Sequence, residues 1–135
     1  MNIQKIKDEI LSINWSVYNG PKYYDPYNVA DALISLLELK DIKQAEEIGH
    51  RVISAIGNDH AGTYYPAVLS ALEIIISIEK EPNNKTRKIC ANSILNNLYY
   101  FEPEIGSYSG CTTAQLKEFA NNKLEVYSDD NRTED

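Results

Sequence analysis

The sequence predicts an all-α fold, a short α-solenoid of about six helices: two full helical hairpins with a capping helix at each end. Three observations carry this. Apolar residues at helical spacing recur along the chain between Pro, Gly and Asn punctuation. Residues 63–79, TYYPAVLSALEIIISIE, are apolar on most of a helical circumference, yet too short and too interrupted to span a bilayer. That combination marks a buried central helix. Finally, polar stripe, caps and core positions of two helix pairs agree at one offset, 42 residues, as from Asn28 to Ser70.

Taken in order, residues 2–14 carry Ile3, Ile6, Ile10 and Ile13, with Leu11 beside them, an amphipathic helix. Residues 15–24 contain Asn-Gly-Pro and form a loop. Asp25-Pro26 is an N-cap and first-turn pair, and the helix it opens runs to about Leu39. Its polar positions, Asn28, Asp31, Ser35 and Glu38, step by three, four and three. Asp41 caps the next helix, which runs to Ile56 with Ile42, Ala45, Ile48, Gly49, Val52, Ile53 and Ile56 inward. Gly57 is expected to stop it in a left-handed conformation.

A loop over 58–62 leads to the central helix, with Pro66 in its first turn. Ser70, Glu73, Ser77 and Lys80 repeat the three-four-three stripe. The Ile74–Ile76 run alone would suit a strand, but its length and stripe favour a helix. Glu81-Pro82-Asn83-Asn84 breaks the pattern. Asn83 or Asn84 caps a long helix to about Phe101, with Ile89, Cys90, Ile94, Leu95 and Leu98 inward. Residues 102–111 are a loop. Thr112 with Gln115 makes a capping box for a last helix over about 113–127, which buries Leu116, Phe119, Ala120 and Leu124.

At the common offset Ile48, Gly49, Val52, Ile53 and Ile56 map onto Cys90, Ala91, Ile94, Leu95 and Leu98. Ile6, Ile10 and Leu11 map onto Ile48, Val52 and Ile53, so the first helix reads as the second half of a truncated repeat. With A and B for the first and second helix of each unit, the order is B–A–B–A–B–A. A hairpin repeat of this length falls in the HEAT/armadillo range of about 40–47 residues. Stacking would bury the faces that one hairpin leaves open, and would make the middle A helix the most apolar. An irregular six-helix bundle with chance matches is the alternative.

The chain has 135 residues, 43% hydrophobic and 24% charged, enough for one core-bearing domain. We assign residues 1–127 to it and 128–135 to an acidic, frayed tail. The net charge is −7. Residues 125–135 contribute −4, five acids against Arg132, which leaves −3 for the body. This balance argues against a nucleic-acid surface. No membrane-length apolar run and no signal-peptide core appear, so a cytoplasmic location is expected. Cys90 and Cys111 are too few for a disulfide framework, and Cys90 reads as a buried thiol.

The chemistry of catalysis is missing. His50 and His60 are the only histidines, and no metal-ligand spacing, phosphate-binding glycine loop or nucleophile elbow accompanies them. His60 beside Asp59 is an acid–base pair at most, and local loop bonding is the simpler reading. Glu46-Glu47 and the basic segment 85–88 read as solvated helix faces. We expect no enzyme, cofactor or metal.

The aromatics are unevenly placed. Nine of ten tyrosines, all but Tyr127, lie at or near B-to-A connections, whereas the A-to-B turns hold none. In a solenoid those connections share one edge. Each Tyr alone could simply pack over a turn. The edge as a whole, tyrosine-rich and locally acidic, suits a binding surface for a basic protein. The candidate partner-binding residues are Tyr23, Tyr24, Asp25, Asp59, His60, Tyr64, Tyr65, Glu102, Glu104 and Tyr108.

Residues 57–76, GNDHAGTYYPAVLSALEIII, followed by 81–98, EPNNKTRKICANSILNNL, resemble a family of small HEAT-like immunity proteins of bacterial toxin systems, including contact-dependent growth inhibition. The most specific part is His60, Gly62, Thr63, Tyr65, Pro66 and Ala67. The resemblance implies neutralisation of a cognate toxin C-terminal domain, often a nuclease, by tight 1:1 binding over its active site. A HEAT-like adaptor with an unrelated cytosolic partner would use the same edge.

Overall fold

The computed structural model describes residues 3–18, 20–22, 24–104 and 112–129. The chain is mostly helical, as expected. Its α-helices are α1 (Ile3–Ser12), α2 (Pro26–Leu37), α3 (Ala45–Ile56), α4 (Val68–Lys80), α5 (Lys85–Tyr99) and α6 (Thr113–Leu124). Short 3₁₀ turns lie at Trp15–Val17, Ile42–Gln44 and Glu125–Tyr127. The segments β1 (Gly57–Asn58), β2 (Thr63–Tyr64) and β3 (Glu102–Pro103) form a small sheet.

The caps fall where the side chains call for them. Asp25 accepts from the Tyr27 amide with Pro26 in the first turn. Asn84, rather than Asn83, accepts from Arg87 N. Thr112 and Gln115 close a reciprocal capping box. Each such cap contributes about 1 kcal/mol.

Helices α2 and α3 pack as one hairpin and α4 and α5 as another; α3 lies on α5, and α6 covers α4 and α5. The first helix departs from its expected place. A B helix in register would stack on α3, but the main partners of α1 are α2 and α4. The cause lies in α4. Val68, Ala71, Leu72, Ile74, Ile75 and Ile78 are all buried, and only Glu73 and Lys80 are exposed. A helix apolar on so much of its circumference needs cover from several sides. Ile6 and Ile10 of α1, both 0% exposed, supply one of them.

Other expectations shift locally. The central helix starts at Val68, because Thr63–Tyr64 is a strand and Pro66-Ala67 a turn. Ile42 is 60% exposed. It sits in a 3₁₀ turn, whose tighter winding takes it out of phase with α3. Ile89 is also half exposed, because the buried stripe of α5 runs through Arg87, Cys90, Ala91, Ile94 and Leu95. Leu11 faces outward beside the buried Ile10. Gly57 is extended, with φ −170°. Its lack of a side chain matters for close approach instead: a Cβ would lie 2.3 Å from Thr63 O. The left-handed residue is Gly62, φ 68°.

The A-to-B end is tied by buried charge. Arg87, expected on a solvated surface, is 2% exposed and donates from Nη1 to Leu37 O at 3.1 Å. Its Nη2 lies 3.6 Å from Glu81 Oε1, also buried. Asn84 Nδ2 donates to Leu39 O at 2.8 Å. Lys88 Nζ reaches Glu79 Oε2 at 2.6 Å, and the Tyr127 hydroxyl donates to Glu79 Oε1 at 3.1 Å. Burial first, then Glu79, push the Tyr127 phenol well above the usual range. Tyr127 and Ser128 are buried, so the packed part reaches past the expected boundary at 127. The remainder of the expected tail, 130–135, lies outside the described residues.

Candidate functional site

The three B-to-A connections meet at one end of the helices. Gly57 pairs with Tyr64 and Asn58 with Thr63, antiparallel; Thr63 pairs with Glu102 and Tyr64 with Pro103, parallel. Glu102 N donates to Gly62 O and Glu104 N to Tyr64 O, both at 2.9 Å. The Thr63 hydroxyl donates to the Glu104 carboxylate. The first connection joins through Tyr24, whose ring meets Tyr65 edge to face with centroids 6.0 Å apart. Tyr24 also donates its hydroxyl to Trp15 O at 2.8 Å, and the hydroxyls of Tyr18 and Ser70 are bonded. Segments expected as separate loops are therefore laced together by backbone and tyrosine hydroxyls.

This lacing divides the ten candidate residues. Tyr64 and Tyr65 are 1% and 4% exposed, so their rings pack inward and present no surface to a partner. Tyr64 has no hydrogen-bond partner for its hydroxyl among the described residues. Burial, and then the Glu102 carboxylate, push its phenol well above the usual range. Tyr24 is half-buried, its phenol pushed up to about 12 by burial, then by Tyr18 and Asp25. Asp25 is exposed but committed to its cap. Glu104 is half-buried under Thr63.

Asp59, His60 and Glu102 are exposed. Asp59 does not pair with its neighbour His60; its Oδ2 lies 3.0 Å from Nδ1 of His50 on α3. Glu102 meets Lys117 at 3.3 Å. Tyr23 and Tyr108 lie outside the described residues.

Two exposed aromatics complete the edge. Tyr27 is 83% exposed and Tyr100 54%. The signal for Tyr27 was present in the sequence: at about 100° per residue it falls some 200° from Val29, away from the Val29–Leu33–Leu36 stripe. Tyr99 braces Tyr100 edge to face, centroids 5.0 Å apart.

Beside this edge α3 and α5 enclose an open cleft of about 470 Å³. Gly49, Ile53, Ile89 and Ile94 supply apolar walls, and Glu46, His50 and Asp59 rim one side. It was not legible from the sequence, because it exists only where Gly49 of α3, without a side chain, lies against Cys90 and Ile94 of α5. Cys90 lines it but donates Sγ–H to Ala45 O at 3.3 Å, and burial pushes its thiol up to about 11. A neutral, engaged thiol is a packing group.

Among the described residues no cluster of three or more His, Cys, Asp or Glu could hold a metal ion, and no helix is long and apolar enough to cross a membrane. The exposed set of Tyr27, Asp59, His60, Tyr100 and Glu102 offers ring faces, the Tyr27 hydroxyl and carboxylates, while the Tyr100 hydroxyl accepts from Asp129 N at 3.0 Å. Such groups recur at protein–protein interfaces. No known protein family, curated protein or solved structure matches this chain.

Proposed function

We propose that this chain is an immunity protein that works in the bacterial cytoplasm. It binds a cognate toxin C-terminal domain, a nuclease, one to one and covers its active site without catalysis of its own. In this reading the hairpins α2–α3 and α4–α5 are two HEAT-like units, and α1 and α6 are caps. Support for the stacking comes from the α3–α5 and α4–α6 packing; the placement of α1 on α2 and α4 makes that cap irregular.

The observation that carries the functional reading is the exposed edge itself. Two of the three connections are fixed together by a sheet and the first joins them through Tyr24 on Tyr65, while Tyr27, Tyr100, Asp59 and Glu102 are left outward. Rigid aromatic anchors beside carboxylates lose little entropy on binding and complement a basic cleft. A nuclease site is basic because it must attract a polyanion, so an acidic inhibitor is steered toward it. The family resemblance carried by residues 57–98 points the same way.

Co-expression tests the proposal. The open reading frame beside this gene is expressed alone and with it. Survival only when both are present, with a 1:1 complex on co-purification, is the expected result. A neighbouring frame that is harmless, or that kills regardless of this protein, overturns it.

A further inference from the structure

We propose that the α3–α5 cleft is a second contact site, one that takes a basic segment of a protein partner: a Lys or Arg set beside an aliphatic or aromatic residue. The shape and the charge each argue for this. The floor is apolar, with Ile53, Ile89 and Gly49, and Ile89 is 51% exposed. A half-exposed isoleucine at a helix–helix groove gains from being covered. The rim carries Glu46 and Asp59, while no Lys or Arg lines the cleft.

Three cations of α3 and α5 are engaged elsewhere. Arg51 bonds Ser35, Lys88 is held by Glu79 and Arg87 is buried against Glu81. His50 Nδ1 lies 3.0 Å from Asp59 Oδ2, which fixes that carboxylate at the rim. An incoming Lys or Arg therefore meets two carboxylates with no competing lysine or arginine in the cleft, and lays its aliphatic stem on Ile89 and Ile53. Asp59 belongs to both the cleft and the exposed edge, so a partner seated on the edge reaches the cleft without a gap. The proposal extends the immunity reading but does not need it. Any basic protein segment of this chemistry would fit.

A phage-displayed random dodecapeptide library, selected on the full chain, tests it independently of any toxin. Two variants fill the cleft from exposed lining positions, Ser93→Trp and Asn97→Trp, each used only with an unchanged urea midpoint. Peptides that bind the native chain and lose both variants should carry Lys or Arg next to an apolar residue. They should weaken about tenfold on Glu46→Gln/Asp59→Asn, as expected for loss of two exposed charge contacts. Selection of no peptide, of peptides that bind the filled variants equally well, or of acidic or neutral peptides would overturn it. So would self-association of the native chain that Ser93→Trp abolishes, since a second copy would then be the occupant.

Discussion

The two ends of the helices treat polar side chains in opposite ways. At the A-to-B end Arg87, Glu81 and Glu79 are buried, and each is bonded to a different element or turn. At the B-to-A end the backbone pairs into a sheet, and carboxylates and phenols are left outward. The lesson is that ionic groups need not mark function: the buried charges here brace the fold, while Asp59 and Glu102 stay exposed although each has a partner of its own. Substitutions at the two ends should therefore fall into separate classes.

The largest effect is expected at Arg87. Arg87→Ala removes the bond to Leu37 O and leaves Glu81 buried without its counter-ion, at a cost of about 3–5 kcal/mol. Urea unfolding measures it. The double variant Arg87→Met/Glu81→Gln should recover most of that loss, because no buried charge is then left unpaired. A small effect of the single variant would mean that this end is not the clamp described.

Tyr64 sharpens the contrast, since it lies at the end with the outward phenols but packs inward. Tyr64→Ala should cost about 3–5 kcal/mol, the range for emptying a large aromatic site. Tyr64→Phe should leave stability within about 1 kcal/mol or raise it, because it removes a buried hydroxyl that lacks a partner. Strong destabilisation by the phenylalanine variant would reveal a bond that the described residues do not contain.

Between these lies a pH effect at Cys90. Its thiol is held at about 11 in the fold against 9.0 unfolded, so above pH 9 the unfolded chain loses a proton that the native chain keeps. Stability is therefore unaffected below about pH 9 and falls as pH rises toward 11, by on the order of 2 kcal/mol from this group. Cys90→Ala should flatten that part of the profile, in denaturation curves compared at pH 8 and pH 11. The smallest change is expected at Tyr27, where replacement by Ala should alter stability by less than about 0.5 kcal/mol.

Much of the fold was legible because local rules dominated it. Asp25-Pro26, Asn84 and Thr112–Gln115 each act within a few residues, and the polar stripe of α4 shows directly which positions can meet water. What was hidden depended on distant partners. Gly57 reads as a helix stop until Thr63 is placed 2.3 Å from its missing Cβ. Arg87 reads as a surface cation until the C-terminal end of α2 offers Leu37 O. The meeting of alternate connections at one end was readable from the alternation of helices and turns. The inward turn of Tyr64 was not, because it goes with strand pairing to Pro103, some forty positions away, and that of Tyr65 was not, because it goes with contacts to Ile56 O and the Tyr24 ring. Asp59 likewise found His50 rather than its sequence neighbour.

The most direct test of the division between the ends is the dissociation constant of the proposed toxin complex for the triple variant Tyr27→Ala/His60→Ala/Glu102→Gln. Its urea midpoint is measured on the same preparation. We predict binding weakened by at least about a hundredfold, the scale of losing a central aromatic and its charged neighbours, with a midpoint that stays in place. An unchanged dissociation constant in a protein that remains folded would contradict the account and move the contact surface away from this edge.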